Sequence, residues 1–216
     1  MDATFDPNCR ECPRLARFLD QVKQEYPAYH ARPVAPFGDE QPRLLIVGLA
    51  PGMHGANRTG RPFTGDHAGI LLYQTLHRFG FASQPDAAGR DDGLILSGCR
   101  ITNAVKCLPP QNKPETGEIK ACNRYLKSEI SRLSPGTAIL ALGNVAHRAV
   151  LLALELKAKS LPFVHGAVHA LSGGLTLYDS YHCSRYNTQT KRLTADMFEA
   201  VFASIVNHLE GKACLT

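Results

Sequence analysis

Four short, mostly apolar runs punctuate the chain: Leu44–Val47, Arg100–Val105, Thr137–Leu142 and Leu175–Tyr181. Their length and content suit strands buried on both faces. Each is followed by a segment of helical period, near Ala68–Phe79, Glu115–Leu133, Gly143 to about Lys157, and Ala195–Leu209. In the last, Met197, Phe198, Val201, Phe202, Ile205 and Val206 recur at helical spacing behind an N-cap candidate, Thr194. Strand–helix units in series predict an α/β fold, a parallel sheet covered by helices on both faces. The pattern reads as a single domain, 1–216. Residues 1–40 form an N-terminal extension with a short helix near Arg14–Tyr26, and Phe81–Gly93 reads as an exposed loop.

Parallel sheets of this kind bind ligands beyond the carboxyl ends of their strands. The predicted ends carry Gly48-Leu49-Ala50-Pro51-Gly52, Thr102-Asn103, Gly143-Asn144 and Tyr181-His182-Cys183-Ser184. Every unusual polar or Gly-rich cluster therefore falls on one rim. The longest, Gly48 to Asp66, packs five glycines, two prolines, His54, Arg58, Arg61 and one aromatic, Phe63, into nineteen residues. Glycines let backbone approach a ligand closely. A lone aromatic offers a flat stacking face. Such a loop suits a planar, negatively flanked substrate.

Composition narrows the class. At 216 residues and 44% hydrophobic content the chain can bury a sizeable core. It holds no apolar run of membrane-spanning length. Met1–Pro13 is polar and unlike a signal peptide. A cytoplasmic protein without membrane contact, acting as a monomer, is the expectation. The net charge of +5 fits a polyanionic partner. Its basic residues recur beside the loops: Arg58 and Arg61, Lys106 and Lys113, Arg185, Lys191 and Arg192.

The seven cysteines are an odd number, many for a reducing compartment. Cys9 and Cys12 form a C-x-x-C, and Cys107 and Cys122 bracket a loop with Pro109, Pro110 and Pro114. Four thiolates suit tetrahedral zinc or an iron–sulfur cluster, and spacing does not choose between them. Cys99 reads as core and Cys214 as tail; Cys183 is a small packing residue rather than a nucleophile.

The Gly48–Asp66 loop, the four cysteines and His182-Cys183-Ser184-Arg185-Tyr186-Asn187 together resemble the uracil-DNA glycosylase superfamily. The closer likeness is to its iron–sulfur families 4 and 5. The loop and Asn187-Thr188-Gln189-Thr190 are similar to family 5, the B-type enzymes. The resemblance spans nearly the whole chain. It implies a three-layer α/β/α fold with a central four-stranded parallel sheet. It implies a [4Fe–4S] cluster on Cys9, Cys12, Cys107 and Cys122. It also implies monofunctional excision of uracil, and of other deaminated bases such as hypoxanthine, from DNA. Two departures inside the superfamily matter. Many members place Asp or Asn third in the first motif to position water, where this chain has Ala50; family 4 tends to have Glu second, where this chain has Leu49.

Chemistry assigns roles within that frame. A base must leave the duplex to be reached, and Gly48, Ala50 and Gly52 would line its pocket. Phe63 would stack on it, and Asn103, whose amide both donates and accepts, would read its edge. The sugar turns oxocarbenium-like as the glycosidic bond breaks, and His182 would donate to the departing O2. For water, Asp66 is the nearest acid, or else it is the N-cap of the next helix. His54 would position water or contact phosphate, and a third reading needs no base. Lys106 is a Schiff-base candidate or, preferably, a phosphate contact. Ser184, Arg185, Tyr186 and Asn187 would form a loop entering the minor groove, with Arg185 or Tyr186 filling the vacated space. Arg58, Lys191 and Arg192 would hold phosphates. Two other readings compete: a non-catalytic DNA-damage binder with a structural cluster, and a metal-bearing nucleotide-binding fold with a small-molecule ligand.

Overall fold

The computed structural model of the chain describes residues 4–211, so Cys214 lies outside the described residues. Six strands form one sheet: β1 (Phe37–Gly38), β2 (Leu44–Gly48), β3 (Cys99–Asn103), β4 (Ala138–Leu142), β5 (Val168–Ala170) and β6 (Thr176–Ser180). Their order is β1-β3-β2-β4-β6-β5. The four inner strands are parallel, as the apolar runs predict. The two outer ones are antiparallel additions of two and three residues. They escape sequence reading because so short a segment shows no periodicity.

Alternation along β2 divides the core. Leu44 and Ile46 face a cluster with Leu72, Leu76, Phe198 and Phe202. These come from α3 (His67–Arg78) and α7 (Ala195–Leu209). Leu45 and Val47 face Leu126, Ile130, Ala146 and Val150, from α4 (Thr116–Ser131) and α5 (Asn144–Ala153). Both faces of the sheet are therefore covered and its apolar strands fully buried, which produces three layers.

Local chemistry sets the helix ends. Thr194 accepts from the Met197 N–H at the start of α7, as expected. Glu115 and Glu118 form a capping box on α4. α5 stops short of the predicted Lys157, where Glu155 takes φ 59°. The N-terminal helix α1 (Pro13–Glu25) buries Leu15, Leu19 and Val22. Arg14 binds Glu118 on α4 at 2.7 Å, and Arg124 pairs with Glu11.

Two predicted loops differ. Phe81 is buried in the core rather than exposed, and Ala82 bridges to Leu96. Residues 185–189 are a short helix, α6 (Arg185–Gln189), because the Ser184 hydroxyl accepts from the Asn187 N–H and caps it. A further turn of helix, α2 (Ala56–Thr59), lies inside the Gly-rich loop. Among the described residues no helix is long and apolar enough to cross a membrane.

Candidate active site

The strand order reverses at β2, whose neighbours are β3 on one side and β4 on the other. Such a switch opens a crevice at the carboxyl ends. Here it is a cleft of about 450 Å³ walled by Leu49, Ala50, Gly52, Phe63, Asp66, Asn103, His182 and Arg185, among others. The register sets Gly48 beside Asn103. A Cβ at Gly48 would collide with Asn103 Oδ1 and stand 2.8 Å from the Phe63 ring. Glycine there lets both side chains meet under the cleft.

Phe63 is buried and takes φ 55°, a conformation costly for a bulky residue. Its neighbourhood enforces that turn. Tyr73 donates to the Pro62 carbonyl at 2.8 Å, and Gly69 leaves room that a Cβ would take from the Phe63 carbonyl. The Phe63 ring lies 5.9 Å from that of His182, tilted by 27°. Asn103 is 3% exposed, and its Oδ1 is buried without a hydrogen-bond partner. An orphaned buried acceptor is costly, and at a cleft wall it marks a place for a ligand donor.

Asp66 stands at the N-cap position of α3, but its side chain makes no cap bond. It turns back instead and accepts from the Ala56 N–H at 3.2 Å. Gly52 and Gly55 leave it space: a Cβ on Gly52 would sit 2.7 Å from Oδ1, and one on Gly55 would overlap the carboxylate. Burial raises the Asp66 pKa above the usual carboxylate range, against the opposing effect of the Ala56 N–H. His182 moves the other way, down to about 4, because burial disfavours the imidazolium. Its ring is neutral at pH 7, so one nitrogen donates and the other accepts.

Several expected residues lie elsewhere. His54 is exposed and off the cleft wall. Its Nδ1 meets the Tyr29 hydroxyl at 2.9 Å, and its ring packs edge-on against Tyr26 and Tyr29. Lys106 is 1% exposed, bonded to Thr102 and, at 2.7 Å, to Glu129, so it reaches neither phosphate nor sugar. Arg61 is buried and forks onto Asp92, with one arm at 2.8 Å. Asn187 donates to the His182 carbonyl at 2.8 Å and so braces the motif from within. Arg58, Arg185, Tyr186 and Lys191 are exposed, Tyr186 by 71%. Arg192 lies over the Tyr181 ring. Cys183 and Cys99 are core residues.

Two polar cleft residues went unread in the sequence. His67 opens α3 with a buried, unpartnered Nδ1. Asn112 lines the cleft at φ 55°; its position after Pro109-Pro110-Gln111 is the signal that was there, since Asn tolerates the left-handed turn.

Cys9, Cys12, Cys107 and Cys122 line one cavity with Leu15, Val105 and Tyr125. The Lys106 N–H donates to Cys122 Sγ at 3.3 Å, and Arg124 approaches Cys9 Sγ at 3.7 Å. Burial, then the neighbouring Cys122, pushes the Cys12 thiol to about 11. Such crowding of buried sulfurs is relieved by a cationic centre that takes them as thiolates.

A family model described as the uracil DNA glycosylase superfamily matches residues 35–206. The chain belongs to that superfamily. Within it, the chain is 48% identical to a type-5 uracil-DNA glycosylase of Thermus thermophilus, over 88% of this chain and 89% of the relative. It is 42% identical to one from Pyrobaculum aerophilum, over 90% and 86%. A type-4 uracil-DNA glycosylase of the latter organism matches at 34%, over 74% and 67%.

Proposed function

We propose that this protein hydrolyses the N-glycosidic bond of uracil in DNA, acting on a nucleotide extruded from the duplex. One observation carries the reading: Asn103, Phe63, His182 and Asp66 share a single cleft in which Asn103 Oδ1 is buried and unpaired. A flipped pyrimidine stacks on Phe63, and its ring N–H and carbonyl pair with the Asn103 amide. As the bond to the sugar breaks, electrons collect on the base O2. The neutral His182 ring donates a hydrogen bond to that oxygen. A donor aimed at developing charge contributes about 3–4 kcal/mol.

Water attacks the oxocarbenium-like carbon from the side of Asp66. Ala50 offers no polar group, so the caged Asp66 carboxylate positions this water. The environment that raises its pKa also makes it a better proton acceptor. A cleft of about 450 Å³ has room for a purine, which supports hypoxanthine as a further substrate. Arg58, Arg185 and Lys191 contact phosphates, and the exposed Tyr186 fills the space the base leaves.

The four cysteines hold a [4Fe–4S] cluster. All four sulfurs line one cavity, and the likeness to the iron–sulfur families favours a polynuclear cluster there over tetrahedral zinc. Its role is structural, tying α1 to the loop between Cys107 and Cys122. The protein works as a cytoplasmic monomer.

Single-turnover assays on uracil- and hypoxanthine-containing duplexes test the activity. Strand breaks under alkali are expected, and binding without base release would instead favour the non-catalytic damage binder that Ala50 suggests. Anaerobically purified protein should be brown, with about four irons per chain. Colourless, zinc-bearing protein would overturn the cluster.

A further inference from the structure

One buried polar cluster takes no part in the cleft. His147 on α5, His169 on β5 and Asp179 on β6 bring three ligand atoms within 4.8 Å of one another. Asp179 is 0% exposed, and the side chains of His147 and His169 are 2% and 11% exposed. His147 Nδ1 lies 2.8 Å from Asp179 Oδ1, and His169 Nε2 lies 3.2 Å from Oδ2.

The other nitrogen of His147 settles the proton count. Nε2 is 2.9 Å from the Leu161 carbonyl, which only accepts, so Nε2 carries the hydrogen. A neutral His147 would then turn a bare lone pair at Nδ1 toward a buried carboxylate. That is repulsive in a medium that screens poorly. The contact therefore needs a proton between Nδ1 and Oδ1, or a metal ion in its place.

We propose that this cluster is a divalent transition-metal site, with His147 Nδ1, His169 Nε2 and the Asp179 carboxylate as ligands. Imidazole and carboxylate together suit zinc. One imidazole faces each carboxylate oxygen, at 2.8 and 3.2 Å, and ligands on a tetrahedral ion lie about 3.3–3.4 Å apart, so small side-chain shifts seat the ion. The bond from His147 Nε2 to Leu161 is the outer contact that fixes a metal-binding histidine in one tautomer. The ion displaces the proton on His147 Nδ1 to solvent, so binding weakens as pH falls. It would cross-link α5, β5 and β6, the strand that leads into His182. The site is independent of the four cysteines and of the glycosylase reading.

Cobalt(II) is the probe, added to the full chain as purified. About one equivalent should stay bound through gel filtration, counted by elemental analysis, and the difference spectrum against cobalt-free protein should show the weak bands of a nitrogen–oxygen site without intense thiolate charge transfer. Zinc should displace it and raise the melting temperature. His169→Gln, at the most exposed ligand, should weaken cobalt binding by at least about tenfold; His147→Gln gives a second variant should that one misfold. No retained cobalt, thiolate bands alone in the difference spectrum, or wild-type cobalt affinity in a folded variant would overturn the metal and leave a buried proton-bridged pair.

Discussion

Two carboxylates lie behind the same rim and are held in opposite ways. Asp179 is enclosed by two imidazoles and sits in a closed network with a carbonyl beyond it. Asp66 has one backbone N–H as its hydrogen-bond donor, in a cage made by the absent side chains of Gly52 and Gly55. The first is satisfied by its surroundings and the second is left in need. A saturated carboxylate stabilises a fold, whereas an under-served one facing a cleft is available to a substrate or a water. The same contrast separates Asn187, spent on the His182 carbonyl, from Asn103, whose Oδ1 has no partner.

The sharpest way to break the comparison is to remove each carboxylate. Asp179→Ala should cost about 3–5 kcal/mol, read from denaturant midpoints, because a buried imidazolium or metal ion loses its counter-charge. Asp66→Asn should leave the protein as stable or more stable at pH 7. The sign follows from its raised pKa: the folded state holds that proton more tightly than the unfolded chain, so ionisation above the usual carboxylate range costs stability. The gain should vanish below about pH 4. Single-turnover excision by the same variant should fall by about 10²-fold or more. A stability loss matching that of Asp179→Ala would erase the distinction.

His182→Ala should slow excision by about 10²–10³-fold while product-DNA affinity changes little. Equal losses in both would remove His182 from the reacting side of the cleft. Its depressed pKa predicts a further, smaller effect. Between the unfolded value near 6.5 and the folded value of about 4, the unfolded chain binds the extra proton, so stability falls as pH falls. His182→Gln should show a shallower acid decline in melting temperature than the wild type. Smallest of all, Arg58→Ala should lower DNA affinity modestly and reduce the salt slope by about one. An unchanged slope would place the phosphate path elsewhere.

Much of this was legible in the chain. The four inner strands and their helices came from periodicity, and the strand-end rule gathered Gly48, Asn103 and His182 on one rim before any coordinates. The family resemblance is matched by the superfamily model over residues 35–206. Where a side chain turns is another matter. His54, one loop with Phe63, faces Tyr29 rather than the cleft. Lys106, beside a cluster cysteine in sequence, is drawn inward by Glu129, and Arg61 is drawn inward by Asp92. Each of these choices depends on a partner 23 to 31 residues away.

By itself, then, the sequence determined the layers, the order of the motifs and the kinds of chemical group the rim would carry. These follow from apolar spacing and from backbone freedom at glycine, both properties of short segments. Only the tertiary structure decided which polar groups are spent and which are left over. Asp66 declines to cap α3, Asn103 keeps a free acceptor, and His147, His169 and Asp179 meet from three separate elements. Satisfaction of a buried polar group is a property of its whole neighbourhood, and that neighbourhood exists only once distant strands and helices have packed.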